Sequence, residues 1–450
     1  MCRHGVLFSS LDAQSRRCSS RFSRATLVAL VISLLCGPAA LAASTPAPPA
    51  KPIPATYFGL HAQKSVTRRG PAAPFPTVPF GSFRLWSIPD WFQINGRPGQ
   101  QYNWTALDRF LDLAEKRDVQ VMFTVGHTPR WASSDPYDMD CAPSLRPGGC
   151  DPPKDLKRDG SGSDDYFRDF IKALARHAKG RIQDWEMWNE PGGRRQWTGT
   201  MKQLVRMTKD MHDIVKQVDP SALIVSPAYT GVGRDMASSL HDFFREGGGD
   251  YIDVVAFHGY IYRRPPVPEE IVDTVSAIRE VMERDGQGGK PLWDTEGSWG
   301  RNPEYPDEDL QVAFVARMYL LQWGLGVERF YWWTWAGYPS GTLWDMDEDR
   351  LTKAGVAYKQ LYDWMVGATQ TEACREKKAV WICGYTRPGG YQAQAVWDAN
   401  IDIRKTKSYT APPPFTRYRD LEGNVNDIPK DRSISIGQKP VLLETGSPGQ

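Results

Sequence analysis

Trp185-Glu186-Met187-Trp188-Asn189-Glu190-Pro191 decides the fold. The stretch Asp184 to Asn189 is rich in apolar and aromatic residues and reads as a strand, which Pro191-Gly192-Gly193 ends in a turn. Alternation sends Asn189 and Glu190 to different sides of a regular strand, but the turn begins at this edge and bends both toward one site. A second segment, Leu292-Trp293-Asp294-Thr295-Glu296-Gly297, also runs as a strand into a carboxylate followed by glycine. Glu296 follows Glu190 by 106 residues, or three βα steps of about 35, which places the two on opposite sides of a barrel mouth.

Outward from these two segments the same pattern repeats. Further strands are expected at Tyr57 to His61, Ser82 to Trp86, Gln120 to Val125, Leu223 to Ser226, Ile252 to His258 and Arg329 to Trp333, with the fourth at Asp184 to Asn189 and the seventh at Pro291 to Thr295. Helical periodicity fills the gaps. Thr105 to Lys116, with Thr105 as N-cap, repeats Leu107, Phe110, Leu111 and Ala114 on one face; Asp164 to Lys179 and Met201 to Val218 behave alike. Eight strands alternating with helices predict an α/β fold, a (β/α)8 TIM barrel over residues 55–367, with its active site at the C-terminal strand ends. Beyond Gly367 short alternating stretches, Ala379 to Tyr385, Tyr391 to Trp397, Thr416 to Asp420 and Pro440 to Glu444, predict a small antiparallel accessory β domain over 368–450.

The N-terminus reads as an address. Arg16, Arg17, Arg21 and Arg24 precede the apolar run Ala25 to Cys36, and Ala40-Leu41-Ala42 follows: the order of a cleavable signal peptide over 1–42. The apolar run is shorter than the ~20 residues of a membrane span, so a secreted or periplasmic mature chain is expected, beginning with a stiff Pro-rich linker over 43–54. Removing the segment discards Cys2, Cys18 and Cys36 and leaves four cysteines, Cys141 and Cys150, Cys374 and Cys383, predicted as two local disulfides in an oxidising compartment. Such widely separated pairs do not match a structural zinc site.

Composition excludes other classes. The chain has 55 Lys+Arg and 53 Asp+Glu; without the leader, which holds five arginines and one aspartate, the counts are 50 and 52. That leaves no basic face for nucleic acid. The sequence has no G-x-S-x-G elbow, dinucleotide fingerprint, P-loop or H-E-x-x-H. Asp345 to Asp349 resembles the start of a calcium loop, but Arg350 stands at its glycine position. No cofactor or metal is implied. The expected partner is a carbohydrate, with no nucleic acid, no membrane span in the mature chain and a monomeric state.

Trp188-Asn189-Glu190-Pro191 and Thr295-Glu296-Gly297 resemble the acid/base and nucleophile strands of the clan of retaining β-glycosidases built on (β/α)8 barrels. The resemblance covers the barrel and is greatest to family-39 glycoside hydrolases, which include β-xylosidases, α-L-iduronidases and bacterial exopolysaccharide glycosidases, with family 5 the near alternative. It implies Glu190 as acid/base and Glu296 as nucleophile. Arg84 matches the strand-two arginine beside the nucleophile. His127 stands where related enzymes bind a sugar hydroxyl, Asn189 matches the amide that holds the 2-hydroxyl, and His258 and Tyr260 match the strand-six pair, Tyr260 bonding Glu296. Trp333 is the expected floor for the sugar ring, with Trp335 second. The charge of Glu296 is expected to raise the pKa of Glu190, and a carboxyl separation of ~5 Å rather than ~8 Å is expected for retention.

Glu186 and Asp294 lie lower in the same two strands, are expected to face the same way as the site, and read as structural carboxylates paired with an arginine or hydroxyl. Loop aromatics Trp91, Trp131, Trp197, Tyr262, Trp299 and Tyr338 are candidates for sugar stacking and an endo mode. The pairs Arg194-Arg195 and Arg263-Arg264 are candidates for an anionic glycan, with isolated surface charges the slightly better reading. A glycan-binding protein on a decayed barrel is the alternative function and a matrix structural protein a third; both carboxylates are present, which argues against decay.

Overall fold

The computed structural model describes residues 47–66, 72–142, 145–263, 265–300, 305, 307–337 and 340–446. The leader, linker residues 43–46, Arg264 and Tyr338 lie outside the described residues. Eight parallel strands follow the chain: β1 (Phe58–Leu60), β2 (Ser82–Leu85), β3 (Gln120–Val125), β4 (Asp184–Met187), β5 (Leu223–Val225), β6 (Val255–His258), β7 (Leu292–Gly297) and β8 (Val327–Trp332). Their order is β5-β4-β3-β2-β1-β8-β7-β6. Bridges Val225–Val254 and Tyr229–Phe257 join β5 to β6 and bring the sheet to closure. All the expected barrel strands are present.

The helices are α1 (Trp91–Ile94), α2 (Thr105–Glu115), α3 (Asp165–His177), α4 (Met201–Val218), α5 (Gly233–Arg245), α6 (Ile271–Arg284), α7 (Glu308–Gly324) and α8 (Lys353–Met365). Thr105 is the first helical residue of α2 rather than its cap: its N–H donates to Asn103 Oδ1 (3.2 Å), an Asx-type bond that substitutes for a hydroxyl cap. Thr200 caps α4 in a reciprocal box with Gln203. Helix α7 carries apolar residues all round, and Val312 to Gly324 are all buried. A helix of that composition needs cover all round. The barrel covers one side. On the other, Arg317 of α7 donates to Glu269 Oε1 (2.8 Å) and Gln438 Oε1 (3.1 Å), and Trp397 Nε1 donates to the same Glu269 oxygen (2.8 Å).

Trp397 lies in the C-terminal antiparallel sheets and Gln438 in a turn between two of their strands. The expected stretches appear there as strands Val380–Arg387, Tyr391–Asp398, Arg417–Arg419 and Val441–Glu444. The pair Lys407–Thr410 and Ser433–Ile436 escaped the sequence reading, because Lys407-Ser408-Tyr409-Thr410 offers one large apolar side chain. Both predicted disulfides are formed, Cys141–Cys150 in a loop after β3 and Cys374–Cys383 across a hairpin.

Packed polar and aromatic layers fill the barrel. At its lower end Arg329 lies over Trp293 (4.0 Å) and donates to Asp184 Oδ2 and Gln120 Oε1, both 2.6 Å. Gly59 makes room for Tyr331, whose ring would lie 2.6 Å from an added Cβ. Arg84, Thr124 and Glu186 form the next layer, just under the mouth.

Candidate active site

Four non-glycine residues just past the C-terminal ends of β2, β3 and β4 have left-handed φ: Ser87 (68°), His127 (59°), Trp188 (58°) and Glu190 (51°). Each such residue costs on the order of 1–3 kcal/mol, and such residues cluster where side chains must be aimed. On β4 the consequence is direct. Trp188 leaves the strand's alternation, packs on Trp197 (4.6 Å) and donates Nε1 to Gln196 O (2.8 Å), so Asn189 and Glu190 both reach the mouth.

Strand β7 reaches the same end through a bulge. Phe257 pairs with Asp294 and His258 with Glu296, so Thr295 is an extra residue on β7. The insertion reverses alternation between Asp294 and Glu296. Asp294 therefore does not face the site as expected. It accepts from Gln322 of α7 (2.9 Å) and from the N–H of Gly259 (2.9 Å), and burial pushes its carboxyl up to about 7. His61, just past β1, holds the bulge: its Nε2–H donates to Thr295 O (3.0 Å), Gln63 donates to its Nδ1 (3.3 Å), and its ring lies edge-on to Trp333 (4.9 Å). Burial lowers its pKa well below the usual range, so the ring is neutral with its tautomer fixed by these two bonds. Sequence reading missed His61; a histidine ending a short strand was its only signal.

These elements bring six of the expected residues together. Arg84 Nη1 donates to Glu296 Oε2 (2.9 Å), Nη2 to Asn189 Oδ1 (2.9 Å) and Nε to Glu186 Oε2 (2.8 Å). Tyr260 O–H donates to Glu296 Oε1 (2.7 Å), and His258 Nδ1 meets Glu190 Oε1 (2.9 Å). A carboxylate oxygen from each of Glu190 and Glu296 and a ring nitrogen of His258 lie within 4.8 Å of one another. His127 bonds Asp90 Oδ2 through Nδ1 (2.8 Å), and its buried Nε2 has no hydrogen-bond partner among the described residues. Trp333 is half-buried at the end of β8.

Among the described residues two groups lie close enough to hold a metal ion: Glu190, His258 and Glu296, and Asp138, Cys141, Cys150 and Asp151. In the second both sulfurs are committed to a disulfide. In the first the Arg84 guanidinium already bonds Glu296, so a cation there would face a fixed positive charge.

Burial raises the pKa of Glu190, opposed by Arg84 and by a hydrogen bond from Thr230. Burial, rather than the expected charge of Glu296, is thus the main cause. Burial also raises Glu296, where Arg84 and Tyr260 oppose it through direct hydrogen bonds. His258 is pushed down to about 4 by burial, so the cation facing Glu296 at neutral pH is Arg84. Of two carboxyls sharing one site, the one with a guanidinium and a phenol as donors is the better held as an anion.

Most of the aromatic platform expected from the loops is core. Trp91, Trp197 and Trp299 are buried, and Trp335, the second choice for the floor, is wholly buried against Trp344 with Nε1 on Pro74 O (2.8 Å). Trp131 is partly buried and bonded to Asn95 O. Tyr262 is the exception: half exposed, bonded to Thr230 and 6.4 Å from the Tyr260 ring. Arg194 and Arg195 are exposed, and Arg263 pairs with Glu270 (2.9 Å).

The sequence model for cellulases, glycosyl hydrolase family 5, matches residues 88–277, from the end of β2 through Glu190 and Tyr260 to α6. The chain is a glycosidase. The sequence match falls on family 5 rather than family 39, so the narrower family-39 assignment does not follow from it. No curated protein matches the chain. Solved structures resemble this glycosidase in fold. They include a family-39 glycoside hydrolase from Bacteroides cellulosilyticus (17% identity, 81% of this chain and 75% of that chain, TM-score 0.62). A glucosidase from Croceicoccus marinus follows (13%, 88% and 97%, 0.58), as does a family-30 endoxylanase from Clostridium papyrosolvens (11%, 89% and 98%, 0.57).

Proposed function

We propose that the protein is a secreted, retaining β-glycosidase acting by double displacement, with Glu296 as nucleophile and Glu190 as acid/base. One observation carries this reading: an oxygen of each carboxyl lies within 4.8 Å of an oxygen of the other across the barrel mouth, the close pairing that a nucleophile and an acid/base ~5–5.5 Å apart require. In the first step a Glu296 oxygen bonds to the anomeric carbon as the bond to the leaving oxygen breaks, and the Glu190 proton passes to that oxygen. In the second step a water adds to the anomeric carbon, its proton goes to Glu190, and the ester bond to Glu296 breaks. Arg84 and Tyr260 orient Glu296, and His258 orients Glu190. Asn189 would hold the 2-hydroxyl, the free Nε2 of His127 another hydroxyl, and Trp333 the ring face.

Secretion is supported by the leader sequence, by two disulfides and by the observation that no described helix is long and apolar enough to cross a membrane. Barrel 55–367 is read as the catalytic domain and 368–450 as its accessory.

The test is reducing-end release from β-glucan, xylan, mannan and bacterial exopolysaccharides. The first two lead because the matched family is named for cellulases and a structural relative is a xylanase. Hydrolysis by the parent that Glu190→Gln and Glu296→Gln abolish, with the anomer retained by NMR, is the expected result. Binding that survives both substitutions, with no hydrolysis by the parent, would establish a lectin instead.

A further inference from the structure

Glu186 takes no part in the two displacement steps, yet it is one of the most enclosed carboxylates of the barrel. Its side chain and that of Arg84 are both 0% exposed. Its Oε2 accepts from Arg84 Nε (2.8 Å) and Thr124 Oγ1 (2.6 Å), and Arg84 Nη2 lies 2.5 Å from the same oxygen in an ion pair. Its Oε1 is buried with no hydrogen-bond partner among the described residues, so the polar contacts of Glu186 run through Oε2 and its ion pair with Arg84. The same guanidinium spends its remaining N–H groups on Glu296 and Asn189. One cation thus stands between two anions, and only one of them can react.

We propose that Glu186 is a positioning residue that neutralises Arg84, so that the guanidinium orients Glu296 without holding its negative charge in place. This rests on the double-displacement reading. When the glycosyl ester forms, Glu296 loses its charge, and Glu190, having given up its proton, gains one. The mobile negative charge therefore crosses from the Arg84 side of the site to the His258 side. With Glu186 present, Arg84 stays paired before and after that transfer. Without it, an unmatched buried cation would sit against the ester, favouring ionised Glu296 as a resting state and as a leaving group while weakening it as a nucleophile.

The other titratable and charged groups facing this cluster are His61 from β1, Glu190 from β4, His258 and Tyr260 from β6, and Glu296 from β7; His127 beyond β3 is tied to Asp90, and Asp184, Arg329 and Tyr331 lie below. Of these only Glu296 bonds Arg84.

The experiment compares the full-length parent with Glu186→Gln on 2,4-dinitrophenyl and phenyl β-glucosides and β-xylosides. The acid limb of kcat/KM is expected to move down by about one pH unit, the shift of a carboxyl that gains an unopposed neighbouring cation. The kcat on the phenyl glycosides, where ester formation limits, should fall. On the dinitrophenyl glycosides, where ester hydrolysis limits, it should hold or rise. A role confined to packing would slow both substrates alike and leave the limb where it was; that result would overturn the proposal.

Should Glu186→Gln fail to fold, Arg84→Met/Glu186→Met carries the test, since apolar replacement of a whole buried pair is commonly tolerated. If Glu186 matches the charge of Arg84, Arg84→Met alone, which leaves Glu186 unmatched, raises the acid limb of the residual activity by about one unit more than Arg84→Met/Glu186→Met does; equal limbs in the two variants would overturn the proposal. A parent inactive on every glycoside and polysaccharide tested would overturn the glycosidase mechanism itself, and this proposal with it.

Discussion

Replacing Tyr260 by phenylalanine isolates one hydrogen bond of the site. Its hydroxyl donates to Glu296 Oε1 at 2.7 Å, and burial raises the Glu296 carboxyl while this bond and Arg84 oppose the rise. A hydrogen bond to a charged group contributes about 1.5–3 kcal/mol, and one pKa unit corresponds to 1.36 kcal/mol. Phenylalanine preserves the shape of the ring, so the loss falls on the charged form of Glu296. The sign follows: without its donor the carboxylate is harder to form, and Glu296 must be approached from higher pH. The acid limb of kcat/KM should rise by about one unit, with water recovering part of the loss. Glu186→Gln should move the same limb the other way, so the two variants bracket the parent. The assay is kcat/KM against pH on an aryl glycoside, with circular dichroism to show an intact fold. An unmoved limb, or one displaced downward, would refute the claim that Tyr260 stabilises ionised Glu296.

Three further outcomes are expected. Asp164 is wholly buried, neither of its oxygens has a hydrogen-bond partner among the described residues, and burial together with nearby Asp210 pushes it up to about 9. The native chain holds that proton and the unfolded chain releases it above its ordinary pKa near 4, so stability should fall with rising pH across that window by up to ~1.4 kcal/mol per unit. Asp164→Asn should flatten that slope in urea titrations at pH 5, 7 and 9. Gly259→Ala would place a Cβ 2.1 Å from Asp294 Oδ2; overpacking of this kind costs about 1–3 kcal/mol, measured as a lower Tm. Replacing both Cys141 and Cys150 by serine should cost about 2–3 kcal/mol for so short a loop. Because this loop is tied to the chain after Glu190 through Ala142 N–H to Arg195 O (2.8 Å) and Thr198 N–H to Cys150 O (3.0 Å), proteolysis should cut the 191–198 segment sooner.

The barrel and the acidic pair were legible because they depend on period and order. An apolar strand ending in a carboxylate and a glycine or proline reads the same whatever packs around it, and two of them three steps apart fit one architecture. Thr295 was not legible: nothing in Thr295-Glu296-Gly297 marks an extra residue, and strict alternation consequently put Asp294 on the wrong side of β7. His61 is a lone histidine, and only the fold brings it to the carbonyl of Thr295. The loop tryptophans misled for another reason. Composition counts rings without saying which surface they meet, and Trp91, Trp197, Trp299 and Trp335 all turn inward. The pairing of Glu186 with an arginine or hydroxyl was anticipated, and the structure supplies both in Arg84 and Thr124.

Helix α7 bears on how the chain can be divided. Its outward side carries Arg317, whose partners include Glu269 and Gln438, and the apolar residues around it have no polar face to show to water. A chain stopped at Gly367 would strip that cover and leave a greasy, adhesive stripe on the outside of the barrel. The last eighty or so residues are therefore the lid on a seam of the barrel, and dissecting the chain into separately expressed halves would yield two insoluble pieces rather than two free-standing modules.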